Sequence, residues 1–182
     1  MPSNKDRLYV ALYARGGKVK MPGLEDRYHW AFIIGPKKEE DDSEGNRCHV
    51  QDGISSVGNP PTPQQVWRYE NREIRMVPTN KLLVRILVGK VKNKGRLETL
   101  FQSTPIRSNI DGWNCVEWVK EALESAGQDR EALGTSITRW QSVRDTAMWY
   151  VESKHKAGRF GEHYNAKEAP TWDMLGGSEL IP

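Results

Sequence analysis

The sequence predicts an α/β-class (α+β) fold, strands first and helices after. Three observations carry this. Runs of β-branched and aromatic residues with period-two alternation occupy much of residues 8–91. Apolar residues spaced by three and four take over after residue 114. At the junction, Trp113-Asn114-Cys115-Val116-Glu117-Trp118-Val119 sets a cysteine at the entry of an amphipathic helix.

A chain of 182 residues and 20.8 kDa can bury one core. One domain over 1–182 is expected, with its core over about 7–155 and a loosely packed tail over 158–182, where Gly, Pro and charge prevail. Hydrophobic content of 37% with seven Trp and six Tyr excludes a disordered composition. The net charge of +3 is an ordinary solvated balance and by itself names no nucleic-acid contact. Met1 to Arg7 has no apolar run behind its charges, and no segment has the length of a membrane span, so a cytoplasmic protein without a membrane anchor is expected. Cys48 and Cys115 should then stay thiols, and neither lies in a metal-spaced array, so no metal or other cofactor is expected.

Leu8 to Ala14 is rich in β-formers and ends at Arg15-Gly16-Gly17. Tyr28 to Ile34 is a second strand with His29, Ala31 and Ile33 on one face and Trp30, Phe32 and Ile34 on the other. Both faces are largely apolar, which predicts a central strand. Glu39 to Asp42 reads as a solvated acidic loop, Arg47 to Gln51 as a short strand, and Asn59 to Pro63 as a stiff loop. Val66 to Tyr69 and Leu82 to Val91 are strands, and Arg96 to Gln102 is a short helix. Asn114 to Ala126 is helical, with Val116, Val119, Leu123 and Ala126 on one face and Gly127 as its stop. A longer helix follows over 136–154, striped by Ile137, Trp140, Val143, Ala147 and Val151.

Asn114 can cap the helix, with Glu117 three residues on as a capping-box partner. Cys115 then falls in the first turn, where free N–H groups and the helix dipole favour an anion, predicting a lowered thiol pKa and donors for an oxyanion. A free cysteine is also a common packing residue, which is the reading for Cys48, mid-strand and on the opposite face from His49. His155 and His163 lie in charged, unpatterned sequence and read as solvated. His29 and His49 lie on strands and can share a crevice, His29 as the base for Cys115 and His49 as its orienting partner. Trp30 and Trp113, which flank this chemistry in sequence, are expected to contact substrate together with Tyr28 and Asn114.

At His29-Trp30-Ala31, His49 and Asn114-Cys115-Val116-Glu117-Trp118-Val119 the chain resembles the papain-like superfamily, in its lecithin:retinol acyltransferase-like and NlpC/P60-like branch. The order histidine, histidine, cysteine is similar to the circularly permuted members. The resemblance spans residues 7 to 126 and implies an antiparallel sheet packed against the cysteine-bearing helix. It also implies Cys115 as nucleophile, His29 as base and His49 as third member. Tyr28 directly precedes His29, whereas the lipid-modifying relatives place a tyrosine one residue earlier, and a hydrophobic carboxy-terminal anchor is lacking. The chain also looks like a family of small, mostly uncharacterised fungal proteins with Tyr-His-Trp-Ala-Phe and Trp-Asn-Cys-Val-Glu-Trp signatures.

The expected function is acyl transfer through a thioester on Cys115, with a soluble donor of an amino-acid or peptide-like acyl group. Three alternatives stand beside it: an aminoacyl-tRNA-dependent synthase of arginine-containing cyclodipeptides using the same cysteine, an amide or peptide hydrolase, and a non-catalytic interaction module.

Overall fold

The computed structural model describes residues 5–161 and 167–182. Strands β1 (Arg7–Ala14), β2 (Tyr28–Gly35), β3 (Glu44–Val57), β4 (Thr62–Arg75) and β5 (Leu82–Val91) come first. Helices α1 (Lys94–Ser103) and α2 (Cys115–Gln128), strand β6 (Leu133–Ser136), helix α3 (Trp140–Lys156) and strands β7 (Thr171–Asp173) and β8 (Ser178–Ile181) follow. The result is a mixed α+β fold. Its sheet runs β4-β3-β2-β1-β5-β7-β8 with β6 also on β5. All pairs are antiparallel except β5 with β7.

The near-continuous apolar sequences of β1 and β2 follow from their place at the centre, covered on both faces. On one face Trp30, Phe32, Cys48 and Val50 pack with Val116, Trp118 and Val119 of α2 and with Val143 and Ala147 of α3. The other face carries a smaller cluster of Tyr9, Ala11, Tyr13, Ala31 and Ile33. Helix α2 therefore covers the Trp30 face, whereas alternation assigns His29 and His49 to the opposite one.

The pairing of β2 with β3 is short. β2 and β3 pair only from Ile34↔Asn46 to Phe32↔Cys48, so toward Tyr28 the two strands are no longer joined. The start of α2 packs against β2, and the Trp30 backbone lies close enough to Cys115 to act on its thiol.

Several boundaries differ from the sequence reading. β3 and β4 form one long hairpin, far beyond 47–51 and 66–69, because they pair in unbroken register from Glu44↔Arg75 to Val57↔Thr62. Beyond Val50 β3 leaves the core and is largely exposed, so its side chains show no apolar alternation. Gly127 lies inside α2 instead of stopping it: a Cβ there would lie 2.0 Å from Thr138 Oγ1, so the glycine serves the close approach of the segment before α3. The expected start of the last helix at 136 is taken by β6. The tail expected to be loose instead carries β7 and β8, with Ala169 and Thr171 buried. Glu39, read as surface charge, pairs with the buried Arg85 at 2.9 Å.

Candidate active site

Asn114 caps α2, its side-chain oxygen accepting from Val116 N at 2.9 Å and Glu117 N at 3.4 Å. Its amide donates to Met21 Sδ at 3.4 Å, which ties the helix start to the 15–24 segment. Cys115 is thereby fixed in the first turn, fully buried. The Trp30 N–H and the residue's own N–H both favour its thiolate, yet burial outweighs them and pushes the thiol up to about 11. The lowered pKa expected from the helix terminus is thus overturned by desolvation: Cys115 rests as a neutral thiol.

His29 Nε2 lies 2.7 Å from His49 Nδ1, and His49 Nε2 lies 3.1 Å from Glu70 Oε1. Glu70 stands directly opposite His49 in the β3–β4 register. Hydrogen bonds from His49 and Arg47 hold its carboxyl below the usual range, so it is an acceptor. Burial lowers His49 and, more strongly, His29, to about 3, where His49 and Arg47 add to the effect. Both rings are therefore neutral, and their tautomers follow from the carboxylate. His49 Nε2 carries a proton and donates to Glu70; His49 Nδ1 then accepts; His29 Nε2 must donate to it. The ring nitrogen left with a free lone pair is His29 Nδ1.

Among the described residues no hydrogen bond joins Cys115 to His29. The Trp30 backbone, one residue after His29, is close enough to act on the Cys115 thiol. Arg15 and Asp52 act electrostatically on both groups, so the thiol and the imidazole share one neighbourhood.

A cleft of about 220 Å³ opens beside the helix start, lined by Trp113 and Asn114 together with Arg15, Lys18, Lys20 and Trp67. Trp113 meets Trp67 edge-on at 5.8 Å. Tyr28 and Trp30 do not line it. The Tyr28 hydroxyl donates to Glu152 on α3 at 3.2 Å, and the fully buried Trp30 donates from Nε1 to Glu25 O at 2.8 Å and packs on Trp140. Both pack in the core and lie outside this cleft's lining. Cys48 is buried in the helix-facing core, His155 is exposed near the end of α3, and His163 lies outside the described residues.

A family model described as "Family of unknown function (DUF6914)" matches residues 5–181. The chain belongs to DUF6914. Neither the curated proteins nor the solved structures contain a match to it. No helix among the described residues is long and apolar enough to cross a membrane.

The sequence reading of this DUF6914 chain missed Glu70, because the strand read over 66–69 ends one residue short of it. Arg15, Lys18, Lys20 and Trp67 were also missed. Arg15 reads in sequence only as a turn residue, and a cleft formed by the 15–24 segment and the β3–β4 hairpin has no local signature.

Proposed function

We propose that the chain is a papain-like, cysteine-dependent acyl-transfer enzyme that holds an amino-acid or peptide-like acyl group as a thioester on Cys115. The observation that carries this reading is the His29–His49–Glu70 relay, with contacts of 2.7 and 3.1 Å, whose tautomers leave His29 Nδ1 as a base next to the peptide against which Cys115 rests. The histidine, histidine, cysteine order and the capped helix start support it further.

The two neutral groups define the chemistry. As a donor carbonyl enters, the Cys115 proton passes to His29 Nδ1 while the sulfur bonds to the carbonyl carbon. The Cys115 N–H, in the first turn of α2, is a donor for the oxyanion. His29, now positive, is stabilised through His49 by the Glu70 carboxylate and returns its proton to the leaving group as the carbon–leaving-group bond breaks. An amine, alcohol or water then attacks the thioester. Water as acceptor would make the same site a hydrolase.

Full burial of the thiol favours one competing reading, a module that keeps the fold without turnover. Mass spectrometry after incubation with amino-acid thioesters, charged tRNA or phospholipid vesicles separates the two. A hydroxylamine-labile adduct on Cys115 from a soluble donor, absent in Cys115→Ala, is the expected result. Acylation from vesicles alone, or from no donor, contradicts the proposal.

A further inference from the structure

The cleft beside Cys115 is cationic for a structural reason. Asp26 is buried, and its carboxylate is occupied by two backbone donors of the 15–24 segment, Lys20 N at 2.8 Å and Met21 N at 3.1 Å. It holds the segment in place and forms no ion pair with either lysine, so the lining sets three cations against the two carboxylates Asp26 and Asp111. Arg15 is pinned by one backbone acceptor, donating from Nη1 to Asp26 O at 2.9 Å, and has no carboxylate partner among the described residues. The ammonium groups of Lys18 and Lys20 likewise have none there. All three residues line the same small space, and the remaining acid on its wall is the exposed Asp111.

Resting on the acyl-transfer reading above, we infer that this cleft is the donor subsite and that the donor is a small acyl compound whose leaving group carries a carboxylate or phosphate. The lining reaches Asn114, the residue before the buried Cys115, and its three cationic residues can supply charge-assisted donors for an oxyanion group. At about 220 Å³ the space is smaller than the ~300–1,000 Å³ typical of sites that enclose a whole drug-sized ligand, so it fits a head group. Trp67 and Trp113 form its apolar wall, against which the organic part of the donor can lie. Arg15 also acts on Cys115 and His29, so the subsite and the reacting atoms lie within electrostatic reach of one another. In the step itself the Cys115 proton moves to His29, a carbon–sulfur bond forms to the acyl carbon, and the bond to the anionic leaving group breaks. The leaving group departs with the proton from His29.

Three aryl thioesters of one acyl group test this, with 4-carboxylate, 4-phosphonate and 4-carboxamide substituents on the leaving thiophenol. Cys115 acylation is read by intact mass and thiophenol release by absorbance, in the wild type and in the double variant Lys18→Gln/Lys20→Gln. Both lysines are exposed, and far-UV circular dichroism checks folding. The expected result is that one or both anionic donors outrun the carboxamide in the wild type by about tenfold or more, with this ratio collapsing in the double variant and in high salt. The better of the two anions identifies the natural head group. A ratio near one in the wild type, or one unchanged by the double substitution, overturns the subsite while leaving acyl transfer standing. Acylation from none of the three overturns acyl transfer and the subsite with it. Protection of Cys115 by tRNA at concentrations where inorganic phosphate gives none points to a polynucleotide donor and overturns the small-donor assignment.

Discussion

At the scale of single residues, desolvation decides the chemistry. A helix start lowers a thiol pKa through its dipole and N–H groups, but Cys115 is fully buried and burial has the larger effect, as the rise to about 11 shows. Iodoacetamide should therefore label native Cys115 more slowly than free cysteine near neutral pH, with the rate rising only as the thiol ionises toward pH 11. Labelling faster than free cysteine in mildly acidic buffer would contradict a neutral resting thiol. Cys115→Ala should abolish thioester formation at a stability cost of about 1 kcal/mol, since it removes a single buried atom. His29→Ala should reduce acylation nearly as far, and His49→Ala less. Glu70 fixes both histidine tautomers, so Glu70→Gln, whose amide can donate where the carboxylate accepts, should lower kcat by roughly one to two orders of magnitude with a smaller change in KM. Wild-type kcat in that variant would remove Glu70 from the relay.

At the scale of elements, Gly127 sets helix propensity against packing. Replacing a helical glycine with alanine ordinarily gains about 1 kcal/mol. Here the new Cβ would lie 2.0 Å from Thr138 Oγ1, an overlap that costs about 1–3 kcal/mol unless the segment moves. Urea denaturation should show Gly127→Ala less stable than the wild type, and a gain would mean that the 137–139 segment yields freely. The same residue shows where sequence is readable. The period of α2 and its Asn114 cap were legible because both are local, whereas Gly127 looked like a stop because its neighbour Thr138 belongs to a different segment. β1, β2 and β5 were read correctly because their residues face apolar surroundings. The β3–β4 hairpin was not, because beyond Val50 it projects into solvent and its extent is set by cross-strand register. That register is also what joins Glu70 to His49. Cys115 and both histidines could thus be picked out in the sequence, while the carboxylate and the cationic cleft needed the fold.

At the scale of the whole molecule, the same burial couples stability to pH. His29 has an ordinary pKa of 6.5 and a folded value of about 3. The unfolded chain takes up a proton there that the folded chain refuses, so this contribution is intact above pH 6.5 and is lost as pH falls toward 3. The lowered carboxyls Glu70, Asp129, Asp145 and Glu179 act in the same direction. Cys115 works from the other side: its contribution is intact below its ordinary value of 9.0 and is lost as pH rises through about 11. Urea midpoints should therefore fall at both extremes, with His29→Gln flattening the acid side and Cys115→Ala the alkaline side. Unchanged curves in both variants would mean that the site opens to water in solution.

The central claim is that a neutral His29 draws the proton from a neutral Cys115. Its most direct test is the single-turnover rate of Cys115 acylation across pH, measured by rapid quench and mass spectrometry in the wild type and in His29→Ala. The account predicts a rate nearly constant from about pH 5 to 8 in the wild type and at least ~100-fold lower in the variant, because the base is unprotonated throughout that range. A wild-type rate that climbs about tenfold per pH unit and coincides with that of His29→Ala would show that solvent, and not His29, generates the thiolate.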